Sequence, residues 1–236
     1  AYRGEVVDDD AKLDPCCRNS EFYVPQATED ARYGLVKNSR TPKKVGSMLE
    51  LFNCLTCDKC IPVCPNDANF TLALPPREIP VEKLTKKGGD WQVETFDRIT
   101  LETKHQIANF ADFRNECGNC DVFCPEDGGP YVLKPRFFGS FEEWKKYPSH
   151  DGFFVQVQEG ARCVYGRFQG QEYSICCREG RVRYEGDLFA VTFVRDDIAA
   201  SCTGTASGEV DLTWFHIMDL VREAILESDV VNYANA

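Results

Sequence analysis

The chain has 236 residues, 43% of them hydrophobic, which is enough for one sizeable core or two modest ones and unlike a disordered or collagen-like polypeptide. Its net charge of -11 and pI near 4.8 argue against a nucleic-acid partner, because phosphate backbones reward the opposite sign. No run approaches the roughly 18 to 20 uninterrupted apolar residues of a membrane helix, and residues 1–14 are acidic instead of basic-then-apolar, so the sequence reads as cytoplasmic with no membrane span.

In chain order, residues 1–30 are acidic and 31–50 basic, with Pro15, Pro25 and Pro42 set to break any long helix. This predicts an extended arm over residues 1–44. The chain opens on Ala1, which fits a processed subunit or a piece of a longer polypeptide. A short helical approach is expected from Val45 to Phe52, ahead of the first cysteine run. Asn69–Leu74 and Gln106–Phe110 alternate apolar and polar residues and predict two strands, with an inserted loop or hairpin over 75–104. From Gly152 the pattern becomes β: Phe153–Gln158, Arg162–Phe168, Glu172–Cys176, Arg181–Tyr184 and Leu188–Arg195, separated by Glu-Gly and Gln-Gly turns, read as a meander. Ser201–Gly208 reads as a linker, because it lacks the lysine of a phosphate-binding loop. A helix from Asp211 to about Ser228 carries a broad apolar face of Leu212, Phe215, Met218, Leu220, Val221, Ala224 and Ile225.

Thirteen cysteines form an odd, clustered set, unlike a disulfide framework, and point to a reducing compartment. The run Cys54-Leu-Thr-Cys57-Asp-Lys-Cys60-Ile-Pro-Val-Cys64-Pro65 has the spacing that wraps a chain around a cubane 4Fe-4S cluster. Soft, charged thiolates suit iron, and the fourth cysteine of such a run serves a second cluster. Shifting the chain by 60 residues lays Cys57, Cys60, Cys64, Pro65 and Asp67 on Cys117, Cys120, Cys124, Pro125 and Asp127. By the ferredoxin exchange rule the first cluster takes Cys54, Cys57, Cys60 and Cys124, and the second takes Cys64, Cys117 and Cys120. Arg114 stands where Cys54 has its counterpart, so the second site lacks one thiolate. A cysteine recruited to complete a second 4Fe-4S cube, a 3Fe-4S cluster and an empty site are the three outcomes, in that order. Cys16 or Cys17 on the arm, or Cys163, Cys176, Cys177 and Cys202 in the β-rich region, are candidate donors, although each taken singly reads first as a buried small residue or a free thiol. A four-cysteine zinc site built on Cys57, Cys60, Cys117 and Cys120 is the main competitor, but zinc does not require Cys54, Cys64 and Cys124 at this spacing.

Ile61, Val63, Val122 and Phe123 are expected to exclude water from the clusters. Asp58, Asp121, Glu126 and Asp127 should lower their potentials, and the Gly118 amide is expected to donate to sulfur. His105, His150 and His216 are isolated, with His216 read as a satisfied core residue and the other two as surface residues. The fold class that follows is α+β: a bacterial-type two-cluster ferredoxin-like module over 45–139, then a small antiparallel β-rich domain with a C-terminal helix over 140–236. An acidic electron carrier docks on basic patches of its redox partner. The alternatives are a reductase in which an incompletely ligated iron of the second cluster binds substrate with Arg114 as anion clamp, and an interaction module held together by metal.

Cys64-Pro-Asn-Asp-Ala-Asn69, Asn115-Glu-Cys-Gly-Asn-Cys-Asp-Val-Phe-Cys-Pro125, Gly-Gly-Pro130-Tyr131 and Lys134-Pro-Arg-Phe-Phe138 resemble the carboxyl-terminal end of the selenate reductase iron-sulfur subunit family, itself related to glutamate-synthase small-subunit-like flavoproteins. The resemblance implies a ferredoxin-type module attached to a flavin- and pyridine-nucleotide-binding body, in an oxidoreductase whose genes often accompany molybdenum hydroxylases of purine breakdown. It implies a non-catalytic electron relay, with a flavoprotein or molybdenum-hydroxylase-type subunit as partner. The chain departs from that family in two respects: it has no Gly-x-Gly-x-x-Gly fingerprint, and Arg114 replaces a cysteine.

Overall fold

The computed structural model describes residues 15–38, 43–228 and 231–234. The chain divides into two units, Ala1–Lys43 and Lys44–Ala236. In the first, helix α1 (Pro15–Glu29) is followed by a 3-10 turn at Ala31–Tyr33 and a short helix α2 (Leu35–Asn38). This corrects the expected extended arm. Pro15 takes the first helical position, where a missing N–H costs nothing, and the helix passes through Pro25. Pro42 lies outside the described residues.

The second unit holds strands β1 (Asn69–Leu72), β2 (Arg77–Lys87), β3 (Asp90–Leu101) and β4 (Gln106–Phe110), then helices α3 (Asn119–Phe123) and α4 (Pro130–Leu133), strand β5 (Arg136–Phe137) and helix α5 (Phe141–Lys146). It continues with β6 (Gly152–Gln158), β7 (Ala161–Phe168), β8 (Gln171–Arg178), β9 (Arg181–Gly186), β10 (Phe189–Val194), α6 (Ile198–Ser201), β11 (Thr203–Ala206), β12 (Val210–Asp211) and α7 (Thr213–Leu226). A nine-stranded sheet runs β1-β4-β5-β6-β7-β8-β9-β10-β11, and a three-stranded sheet runs β12-β2-β3. The residues read as a linker at 201–208 therefore include an edge strand, β11, paired with β10.

Hairpin chemistry explains the meander. Glu159-Gly160, Gln169-Gly170 and Glu179-Gly180 each close a two-residue loop with both residues at positive φ, the turn whose twist matches that of paired strands. The 75–104 insertion is the long β2–β3 hairpin, which lays its inner face against α7. All seven apolar positions read from the sequence on α7 are buried. One core runs from Phe52, Leu72 and Phe110 through Phe137 and Phe153 to Tyr184 and Phe215. The boundary expected at 139/140 thus falls inside a continuous sheet and core, carried by the parallel pairs β4–β5 and β5–β6.

Residues 45–52 do not form the expected helix. Gly46 is left-handed with φ 84°, and the backbone pairs with the end of the second cysteine run: Val45 N–H donates to Pro125 O at 2.7 Å and Leu49 N–H to Asp127 O at 2.7 Å. Cross-chain partners satisfy amides that a helix would have bonded internally.

Candidate metal centre

The 60-residue repeat is present in the backbone as well as in the sequence. In the first run, Ile61 N–H donates to Asp58 O and Cys64 N–H to Ile61 O, both at 3.1 Å. In the second, Asp121 N–H donates to Gly118 O at 3.0 Å and Cys124 N–H to Asp121 O at 3.2 Å. Thr56 and Asp58 have φ 47° and 55°, and their counterparts Glu116 and Gly118 have φ 55° and 77°. Each left-handed non-glycine residue costs on the order of 1 kcal/mol or more, and such residues collect where a loop is bent around something. Here they flank Cys57 and Cys117 in both loops.

Two cavities take up the cysteines. Cys54, Cys57, Cys60 and Cys124 line one, with Ile107 and Lys134. Cys64, Cys117 and Cys120 line the other, with Arg114, Asn109 and Tyr131. Each cavity therefore draws thiols from both runs, and Cys64 and Cys124 cross over between them. Burial pushes the Cys60 thiol up to about 12, helped by its neighbours Cys54, Cys120, Cys57 and Cys124. Burial likewise raises Cys54, Cys120 and Cys124. Buried thiols crowded in this way repel one another once ionised, and cationic metal relieves that repulsion.

Thr56 N–H donates to Cys54 Sγ at 3.4 Å and Ala68 N–H to Cys64 Sγ at 3.3 Å. Gly118, expected as such a donor, instead supplies the left-handed residue before α3. Val122 and Phe123 are exposed on α3 and do not exclude water. Leu49 and Ile107 line the first cavity instead and are buried. The acidic setting is partly offset by two lysines to which the cysteine motifs give no pointer. Lys44 Nζ bonds the Asp121 and Glu126 carbonyls at 2.8 and 3.1 Å. Lys134 is buried beside the first cavity, its ammonium directed at the Glu50 carbonyl and its pKa lowered by burial.

Arg114 does line the second cavity, at the position where the first motif has a cysteine. Its Nη1 donates to Tyr131 O at 2.9 Å and its Nη2 pairs with Glu116 Oε1 at 2.5 Å. Among the described residues, Cys163, Cys176, Cys177 and Cys202 do not line that cavity. Cys163 and Cys176, facing each other across β7 and β8, form a disulfide, which corrects their reading as thiols. Cys177 and Cys202 are free thiols at other positions. Cys16 and Cys17 fall in α1, with side chains outside the described residues. His105 Nε2 meets Asp58 Oδ1 and His216 Nε2 meets Glu82 Oε2, each at 2.9 Å. Among the described residues no three His, Cys, Asp or Glu side chains close on a single ion.

Over 100 residues, 42% of this chain, the sequence is 30% identical to the protein named "Putative oxidoreductase YgfK" in Escherichia coli K12, and equally to its counterpart in E. coli O157:H7. The matched stretch is 7% of those proteins' length, so the chain spans a small part of the relatives it resembles. No family model and no solved structure matches the chain. Among the described residues no helix is long and apolar enough to cross a membrane.

Proposed function

We propose that this chain is an iron-sulfur electron carrier, a subunit or domain that relays single electrons between a flavoprotein or similar partner and a larger oxidoreductase complex. The observation behind it is the crossed sorting of seven cysteines into two cavities, four in one and three in the other. Exchange of one thiolate between neighbouring sites is the arrangement of two-cluster ferredoxins, and the β1–β4 pair between the two runs suits a ferredoxin-like module.

The donor set fits iron and sulfide. Four thiols surround the first cavity, amides reach sulfur at Cys54 and Cys64, and the left-handed residues repeat in both loops. A zinc ion would draw four sulfurs into one tetrahedron. The spacing of Cys54, Cys64 and Cys124, which a four-cysteine zinc site does not require, favours iron and sulfide over zinc. A bound cluster supplies one-electron storage; the chain's own residues hold it, set its electrostatic surroundings and limit water. Cys54, Cys57, Cys60 and Cys124 would hold the first 4Fe-4S cluster. Cys64, Cys117 and Cys120 would hold a second 4Fe-4S or 3Fe-4S cluster.

Anaerobic iron and acid-labile sulfide analysis with EPR tests the proposal. Two interacting signals in the reduced protein indicate two cubes. A signal in the oxidised protein identifies a three-iron centre at the second site, whereas zinc without sulfide overturns the reading.

A further inference from the structure

The second cysteine site is one thiolate short, and the lining of its cavity narrows what could replace it. Among the described residues, Glu116 is the one acidic side chain that lines this cavity beside Cys64, Cys117 and Cys120. Two of its amide side chains already use their oxygens: Asn69 Oδ1 accepts from Asn109 Nδ2 at 2.9 Å, and Asn115 Oδ1 from the Cys117 N–H at 3.3 Å. A larger cavity of about 610 Å3, walled also by Phe138, Tyr147 and His150, shares Arg114, Asn115 and Glu116 with the site. Glu116 therefore stands at the boundary between the cysteine site and a space large enough for water.

The two loops differ at the point of the missing thiolate. In the first, Thr56 N–H reaches Cys54 Sγ at 3.4 Å, so residue 56 sits against the sulfur that opens the run. Its counterpart in the second loop is Glu116, with the same left-handed backbone, φ 55° against 47°. Where the first loop has Cys54 and an uncharged Thr56, the second has Arg114 and an acid. Arg114 is anchored through Nη1 to the Tyr131 carbonyl at 2.9 Å, and its Nη2 holds Glu116 Oε1 at 2.5 Å. That bond leaves Glu116 Oε2 without a partner among the described residues. A carboxylate has two acceptor oxygens, and one that ligates a metal is commonly held by a hydrogen bond to the other.

We propose that Glu116 supplies the fourth ligand of the second cluster, through the carboxylate oxygen that Arg114 leaves free. This inference rests on the iron-sulfur reading above. Each iron of a cube takes one protein ligand, so three thiolates and one carboxylate complete a 4Fe-4S cluster without a further cysteine. Iron accepts carboxylate oxygen as well as sulfur. The substitution is also consistent in charge: Arg114 puts a cation where the repeat calls for an anion, and Glu116 restores a negative charge at that corner. Water entering from the larger cavity is its competitor.

Anaerobic iron and sulfide analysis with EPR of Glu116→Ala tests it. The Glu116 side chain is 59% exposed, so its removal leaves the core untouched, and circular dichroism checks that the variant folds. The unaltered protein should hold about eight irons per chain and show no three-iron signal when oxidised. Glu116→Ala should lose about one iron and gain that signal. In an Arg114→Cys background, which restores the repeat, the same substitution should change neither the iron content nor the spectrum. A three-iron signal or only about four irons in the unaltered protein overturns the proposal while leaving the first cluster in place. Glu116→Ala that keeps all its iron without a new signal overturns it as well. Absence of iron and sulfide altogether is the distinct result that removes the cluster reading and this ligand with it.

Discussion

Cys60 is the most crowded of the thiols, near Cys54, Cys57, Cys124 and Cys120, and its own pKa is raised the furthest among them. Cys60→Ala should therefore remove the first cluster and about four irons per chain, measured by iron and sulfide content, while leaving signals of the second. Lys134 is the nearest buried cation to the first cavity, and it sits far along the chain from Cys54. A positive charge there favours the reduced, more negative state. Lys134→Met should lower the midpoint potential of the first cluster by tens of millivolts in a redox titration. An unchanged potential would show that the charge is screened from the cluster.

At the scale of elements, the α5–β6 connection that walls the larger cavity is bonded at three carbonyls by Arg167. Arg167, 1% exposed, donates to the Trp144, Tyr147 and His150 carbonyls at 3.0, 3.0 and 2.9 Å, and to Glu172 at 2.8 Å. Burial works to raise the Glu172 pKa, but Lys145 and Arg167 outweigh it and the net shift is downward. A carboxylate depressed on folding contributes stability above its unfolded pKa and loses it as pH falls through the folded value. Glu172→Gln should thus cost roughly 1–3 kcal/mol at pH 7 in urea denaturation, with the difference vanishing below the ordinary glutamate range. The β7–β8 hairpin carries the Cys163–Cys176 disulfide, closing a loop of 13 residues. The Cys163→Ser, Cys176→Ser double variant should lose roughly 2–3 kcal/mol under oxidising conditions and keep its full iron content. Loss of iron in that variant would place one of these sulfurs at a metal site.

Across the second unit as a whole, the cysteine loops and the meander share a single core. Phe52 and Phe110, from the cysteine-bearing half, belong to the same buried cluster as Tyr184 and Phe215, and α7 packs on both β7 and β2. Phe215 is 1% exposed and packs edge-on against Phe193 with centroids 5.0 Å apart. Phe215→Ala should cost about 3–5 kcal/mol. Its unfolding followed by far-ultraviolet circular dichroism and by tryptophan fluorescence should shift together, whereas separated transitions would reveal two independently folding halves.

Much of this was legible in the residues themselves. The meander, the strands at 69–72 and 106–110 and the buried face of α7 follow from periodicity and turn chemistry, which act over a few neighbouring residues. The grouping of the cysteines around two cavities was legible too, because the crossing of Cys64 and Cys124 is encoded in a repeat of fixed length. What local pattern missed was decided by partners distant in the chain. Residues 45–52 gave up a helix for backbone partners at 125–127, and the expected boundary at 139 was bridged by parallel strand pairs. The sequence alone determined which cysteines pair with which cavity and that Arg114 breaks the repeat. Only the tertiary structure brought Lys134 to the first site, because groups separated along the chain meet only when the sheet sets their strands and loops together.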